Sequence, residues 1–273
     1  MSSVSVCGGV REQLLSWARS YGVPADHPRH SGARWVELGG ALAGEDLRAR
    51  PAQAREPRRL PRGRGSLPAD VVSGEHHARL LGATAEVIRR DGYADATIAE
   101  IVAAAGVSRN VFYKLFHTKE EAFIAAQRLG QQEGLAACSK AFFDAPSWPE
   151  RVWAGLLALL TCMRAAPDLT YIVVVEPNAA GNRALQHVID MLRAFTIFLE
   201  EGYRQNPRAQ QLPRICSDAI AGALFELLYD HATHERIDRL PELTPQFAYI
   251  ALAPFLGPAE AGKFVLGKVG EAV

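Results

Sequence analysis

Apolar positions recur at helical spacing from about residue 77 towards the C-terminus, and the polar positions between them carry cap and stop signals. From His77 to Asp91, the apolar Leu81, Ala85 and Ile88 fall at i, i+4 and i+7 and Gly92 supplies a stop, which predicts a first helix. Thr97 and Glu100 have capping-box spacing and open a second helix, with Ile98 and Ile101 inward and Ala103 to Ala105 small enough to admit a close neighbour. Gly106 follows at a bend where a positive φ excludes most residues. Ser108 caps a third helix whose Phe112 and Phe116, four apart, face a core, and Thr118 with Glu121 caps a fourth.

Helical periodicity then continues. Ser147 with Glu150 opens a stretch to Arg164, and Pro167 and Pro177 bracket a short apolar segment, Leu169 to Glu176. Tyr171 to Val175 has strand propensity but no second strand to pair with, so it is predicted as helix. Further helical patterns run from Asn182 to Tyr203, Ile215 to His234 and Thr244 to Phe255. Before all of these, Val10 to Tyr21 is weakly amphipathic, and Arg48 to Gly65 changes abruptly to Arg, Pro, Ala and Gly. That composition buries too little apolar surface to offset its ordering entropy, and it suits either a solvated tether or an arm that tracks phosphates or enters a minor groove. The expected architecture is all-α, with an N-terminal extension over residues 1–70, a helix-turn-helix domain over 71–123 and a helical C-terminal domain over 124–273.

Composition narrows the classes. The 273 residues are 48% hydrophobic and 22% charged, as in a soluble globular protein, and no run of 18 apolar residues is long enough for a bilayer. The first basic residue is Arg11 and no apolar stretch of signal-peptide type follows it, so the expected location is cytoplasmic, without membrane partners. Cys7, Cys138, Cys162 and Cys216 are isolated, with neither a C-x-x-C pair nor His at zinc spacing, so no metal, cofactor or disulfide framework is expected. A net charge of +0 hides an asymmetry: residues 1–119 carry 17 Lys+Arg against 12 Asp+Glu, leaving 13 against 18 of the 30 of each. A basic front suits a chain that offers one end to a polyanion.

With Phe112 and Phe116 turned inward, the third helix presents Arg109, Asn110, Tyr113 and Lys114 on its other face. Arg can bond guanine O6/N7 and Asn adenine N6/N7 in bidentate fashion, while Tyr and Lys can hold phosphates. Val111 is positioned for a thymine methyl, and Lys119 for the duplex backbone. Any one of these residues fits a solvated helix face equally well. The ordered set of Gly106, two capping boxes and the Phe-Tyr-x-x-Phe spacing instead fits helix-turn-helix docking as a unit. No catalytic motif of the G-x-S-x-G, P-loop, H-E-x-x-H or dinucleotide type occurs, so an α-helical enzyme is the distant alternative. A nearer one is a ligand-independent activator or nucleoid-binding protein with the same head.

Residues 76 to 126 resemble the N-terminal domain of the tetracycline-repressor (TetR) family of bacterial transcription regulators. The string that carries the resemblance is Gly92-Tyr93, Thr97-Ile-x-x-Ile101, Ala105-Gly-Val-Ser108, Phe112-Tyr113, Phe116 and Lys119-Glu120. The resemblance implies a ligand-responsive repressor that binds a palindromic operator in double-stranded DNA as a homodimer. In it Thr97, Ser108, Tyr113 and Lys119 position the backbone, and Arg109, Asn110 and Val111 face bases. Leu115 stands where many members have a histidine, Val102 where an alanine is usual, and the extension before the first helix is longer than the family's short arm.

The resemblance also implies a C-terminal effector chamber and a dimer interface made by the last two long helices. Candidate chamber residues for a small apolar or amphipathic effector are Phe142, Leu156, Leu160, Met163, Tyr171, Val174, Met191, Phe195 and Phe198, each of which by itself fits a plain core better than a pocket. Glu176 ends an apolar run, where it fits a cationic effector, solvent, or an Arg183 partner. The interface would draw on Ile220, Ala223, Leu224, Leu227 and Leu228, within an apolar stripe with small residues, and on Phe247 and Ile250.

Overall fold

The computed structural model describes residues 69–271, with side chains of 69–73 excepted; the amphipathic stretch at Val10–Tyr21 and the arginine-rich segment lie outside the described residues. The described chain is helical, and no strand occurs among its residues. Four helices make the front: α1 (Ala69–Asp95), α2 (Ile98–Ala105), α3 (Arg109–Leu115) and α4 (Lys119–Asp144). Behind them come α5 (Trp148–Ala165), α6 (Pro167–Val174), α7 (Pro177–Ala180), α8 (Asn182–Thr196), α9 (Ile215–Thr233), α10 (Thr244–Leu256) and α11 (Pro258–Glu271), with 3-10 segments at Ile197–Arg204, Ala209–Gln211 and Ile237–Leu243.

The predicted stop of the first helix is real: Gly92 has φ 79 and ψ 158, which breaks the helical path, while Tyr93–Asp95 add one further turn. Ala96 N closes that turn on Gly92 O at 3.1 Å. Ser147 departs from its expected cap, because its hydroxyl donates to the Glu150 carboxylate at 2.8 Å and accepts no backbone N–H. The pattern predicted as one helix from Asn182 to Tyr203 splits at Thr196 into α8 and a 3-10 segment. Trp148 Nε1 donates to the Phe198 carbonyl at 3.0 Å, which diverts that acceptor from the α-helical ladder. Helix α11 lacked a clear sequence signal; three glycines weaken it, and burial of Ala261 and Val265 holds it in place.

Packing gathers the apolar side chains into three clusters. The front cluster is built from Leu80, Ile88, Ile101, Phe112, Phe116 and Phe123, and it also takes in Ile172 of α6, Ala180 of α7 and Ala184 of α8. The second surrounds Trp148, Phe198, Tyr203 and Phe255; the third surrounds Leu160, Val174, Leu228 and Phe247. Helix α4 runs unbroken past residue 123 and joins front to rear. Among the described residues no single helix is long and apolar enough to cross a membrane.

Candidate nucleic-acid interface and effector cavity

The turn between α2 and α3 is set by backbone chemistry. Thr97 accepts the Glu100 N–H at 3.3 Å, and the Glu100 carboxylate reaches back to Thr97 N at 2.9 Å, so the capping box closes as its spacing predicts. The Thr97 hydroxyl, which donates to the Glu100 carboxylate at 2.6 Å, and then the Thr97 N–H hold that carboxyl below its ordinary range. Gly106 then takes the left-handed conformation, φ 62 and ψ 38. Arg79 from α1 donates to the carbonyls of Ala105 and Gly106, which fastens the turn to the first helix. Ser108 caps α3 by accepting the Val111 N–H at 3.3 Å.

Helix α3 is anchored by Phe112 at 0% and Phe116 at 5% exposure. Its outer face carries Arg109, Asn110, Tyr113 and Lys114, all exposed, with Ser108 exposed at its start and Thr97 exposed at the start of α2. Tyr113 stands 51% exposed although aromatic. Two expected contact residues lie elsewhere. Val111 is half-buried and leans on the front cluster with Leu115, so its side chain turns from the outer face. Lys119 points inward: its Nζ donates to the carbonyls of Tyr93 (2.5 Å), Ala94 (3.2 Å) and Ala96 (2.7 Å) and lies 4.5 Å from the Tyr93 ring centroid. The carbonyls left open where α1 ends draw the ammonium in, which spacing alone does not reveal.

In the rear half a cavity of about 130 Å³ lies between α4, α5, α6, α8, α9 and α10. Of the expected chamber residues, Phe142, Leu156, Met163, Val174, Met191, Phe195 and Phe198 line it. Leu160 is packed solid in the third cluster at 0% exposure, Tyr171 packs on that cluster without lining the cavity, and Glu176 is committed elsewhere. Ile220, Leu224, Leu228 and Phe247, expected at a dimer interface, line the same cavity, because the stripe on α9 faces α6, α8 and α10 within the protomer. Of the remaining interface candidates, Ala223 is exposed and Leu227 and Ile250 are half-buried. Gln131 and Thr170 also line the cavity, and reading apolar positions alone passed over both. Burial pushes the Cys138 thiol up to about 12 and raises that of Cys162, so both cavity cysteines stay protonated.

Front and rear are joined by polar bonds. Glu176, 8% exposed, accepts the Tyr93 N–H at 2.9 Å; it is thus a structural acceptor for the end of α1, and not the partner of Arg183. Arg183 pairs with Glu120 at 3.3 Å, and Arg89 pairs with Asp168 of α6 at 2.8 Å. Helix α6 therefore turns Ile172 into the front cluster while Thr170, Val173 and Val174 line the cavity.

Residues 80–126 match the family described as bacterial regulatory proteins, tetR family. No curated protein matches the chain significantly by sequence. Solved structures that share its fold include the fatty acid degradation regulator FadR from Bacillus halodurans, at 19% identity and TM-score 0.58, covering 64% of this chain and 97% of that one. FadR from Bacillus subtilis in complex with stearoyl-CoA is similar at 17% identity and TM-score 0.58, covering 66% and 98%. A gamma-butyrolactone receptor described as an ArpA-like protein matches at 21% identity and TM-score 0.57, covering 73% and 99%.

Proposed function

We propose, from the premise that residues 80–126 are a tetR-family DNA-binding domain within a TetR-type fold, that this chain is a ligand-responsive repressor acting as a homodimer on a palindromic operator. The observation that carries the reading is the outer face of α3, where Arg109, Asn110, Tyr113 and Lys114 stand exposed on a helix pinned from behind by Phe112 and Phe116. On this reading Arg109 and Asn110 meet base edges, and Ser108, Tyr113 and Lys114 hold phosphates. Residues 71–123 serve as the reading head and 124–273 as the effector and dimerisation unit, in the cytoplasm and with no catalytic role.

A two-headed protein needs its recognition helices about 34–36 Å apart to enter successive major grooves. Helix α6 supports a route for changing that distance, since it packs on the cavity with one face and on the head with the other. A molecule in the cavity that prefers one α6 position shifts the equilibrium by its differential affinity and no more. Two proteins of similar fold, one solved in complex with stearoyl-CoA and one a gamma-butyrolactone receptor, support the presence of an effector for such a fold, though not its chemistry here.

The test is electrophoretic mobility shift on the DNA upstream of the chain's own gene, with wild type and an Arg109→Ala, Tyr113→Phe double variant. Wild type is expected to give a salt-dependent, sequence-specific shift that the double variant loses. Specific binding retained by the double variant would overturn the α3 assignment.

A further inference from the structure

The cavity has an unusual imbalance of hydrogen-bonding groups. Gln131, on α4 and 3% exposed, donates through Nε2 to the His187 carbonyl at 3.3 Å, while its side-chain carbonyl oxygen is buried without a partner. Thr170 donates its hydroxyl proton to the Met163 carbonyl at 2.8 Å, which leaves its oxygen able only to accept. Lining residues include no Lys, Arg or His, and Glu133 is the single charged one among them. The walls are otherwise apolar, with Gly130, Gly134 and Gly155 in place of larger side chains.

A buried carbonyl without a donor is a costly arrangement, and it is relieved when a donor arrives from a ligand or a trapped water. With no Lys, Arg or His in its lining, the cavity offers no counter-charge, so a carboxylate or phosphate entering it would lose its hydration uncompensated. At about 130 Å³ it has room for one aromatic ring or a short chain, roughly the load of a cavity that takes benzene.

We propose that the cavity binds an uncharged, largely apolar molecule that carries one hydroxyl or N–H group, donated to the side-chain carbonyl of Gln131. This deepens the ligand-responsive reading and rests on it for its biological use, though not for its chemistry. It selects against ligands whose polar groups only accept, such as ethers, esters and lactones, and against anions. Gln131 is the specificity-determining residue, since it alone among the lining side chains has an orphaned buried polar atom.

The probes are para-ethylphenol and para-methylanisole, isomers of equal size that differ in whether the oxygen donates, with para-methylbenzoate as the anion. Titration calorimetry on the full chain is expected to give the phenol a roughly three- to tenfold tighter Kd than the ether, with the benzoate weakest. Gln131→Leu and, as a second variant, Gln131→Met are expected to erase the preference while ether binding stays within about threefold. Thermal unfolding identifies a variant that fails to fold. Equal affinity for the two isomers, tighter binding of the benzoate, a preference that survives both folded variants, or no binding by any probe overturns the proposal. A mobility shift with each probe separates the two claims. The phenol preference without release of DNA upholds the cavity chemistry and removes ligand control, whereas release of DNA by the ether as readily as by the phenol upholds ligand control and removes the Gln131 selection.

Discussion

The Glu176 carboxylate accepts the backbone N–H of Tyr93 at 2.9 Å, so the residue just after the break in α1 is tied to the start of α7. That amide follows the break at Gly92 and loses the partner an unbroken helix would give it. Glu176→Ala is expected to leave this part-buried amide without its acceptor and to destabilise the chain by about 1–2 kcal/mol. Glu176→Gln keeps an acceptor oxygen and should lose less than half as much. Urea denaturation of the three proteins checks the order; an Ala variant as stable as wild type would remove the tie.

Lys114 and Lys119 are five residues apart and do different work. Lys119→Ala removes an ammonium that holds three carbonyls at the end of α1, and should destabilise the head by about 2 kcal/mol. Lys114→Ala touches an exposed side chain and should leave stability within about 0.5 kcal/mol. On DNA the order reverses: Lys114→Ala should lower the slope of log K against log salt by about one, as expected for one lost phosphate contact. Thermal melts and salt-dependent mobility shifts together give the result, and a reduced slope for a fully stable Lys119→Ala would restore Lys119 to the DNA surface.

The front of the molecule was largely legible because its signals are local. Thr97, Gly106, Ser108 and Thr118 act on backbone groups within four residues, so cap and turn chemistry places α2, α3 and the start of α4 from spacing alone. Lys119 and Glu176 were misplaced because both serve partners far along the chain, at Tyr93 and its neighbours. The same limit applies in the rear. Apolar periodicity identifies α9 as amphipathic but does not say which surface its stripe meets, and Ile220, Leu224 and Leu228 turned to a cavity inside the protomer. Gln131 was invisible for a related reason: its importance lies in a bond it does not make.

Gly106 carries two constraints at once. Its φ of 62 disfavours any side chain, and a Cβ there would lie 2.5 Å from Arg79 Nη2. Gly106→Ala is expected to cost about 1–2 kcal/mol for the left-handed conformation, plus the loss of the Arg79 bonds to the turn. Since Arg79→Ala removes those same bonds, the two substitutions should be less than additive by about 0.5–1.5 kcal/mol in a double-mutant cycle. Full additivity would mean that Arg79 does not fasten the turn.

The reading head should also weaken in mild acid. His77 lies against Phe116, with ring centroids 5.4 Å apart, and burial lowers its imidazole below the ordinary 6.5. The folded head therefore takes up the His77 proton less readily than the unfolded chain does. Its stability is full above about pH 6.5 and is lost progressively as pH falls through the depressed value. His187, between α8 and α4, is lowered in the same direction, by burial first and then by the Arg128 charge, and adds to the trend. His77→Phe keeps a ring against Phe116 and removes the titrating group. Urea midpoints measured at pH 7.5 and 5.5 should fall further for wild type than for the variant, with His187 supplying part of the remaining decline. An equal drop in both proteins would show that the contact with Phe116 does not depend on a neutral His77.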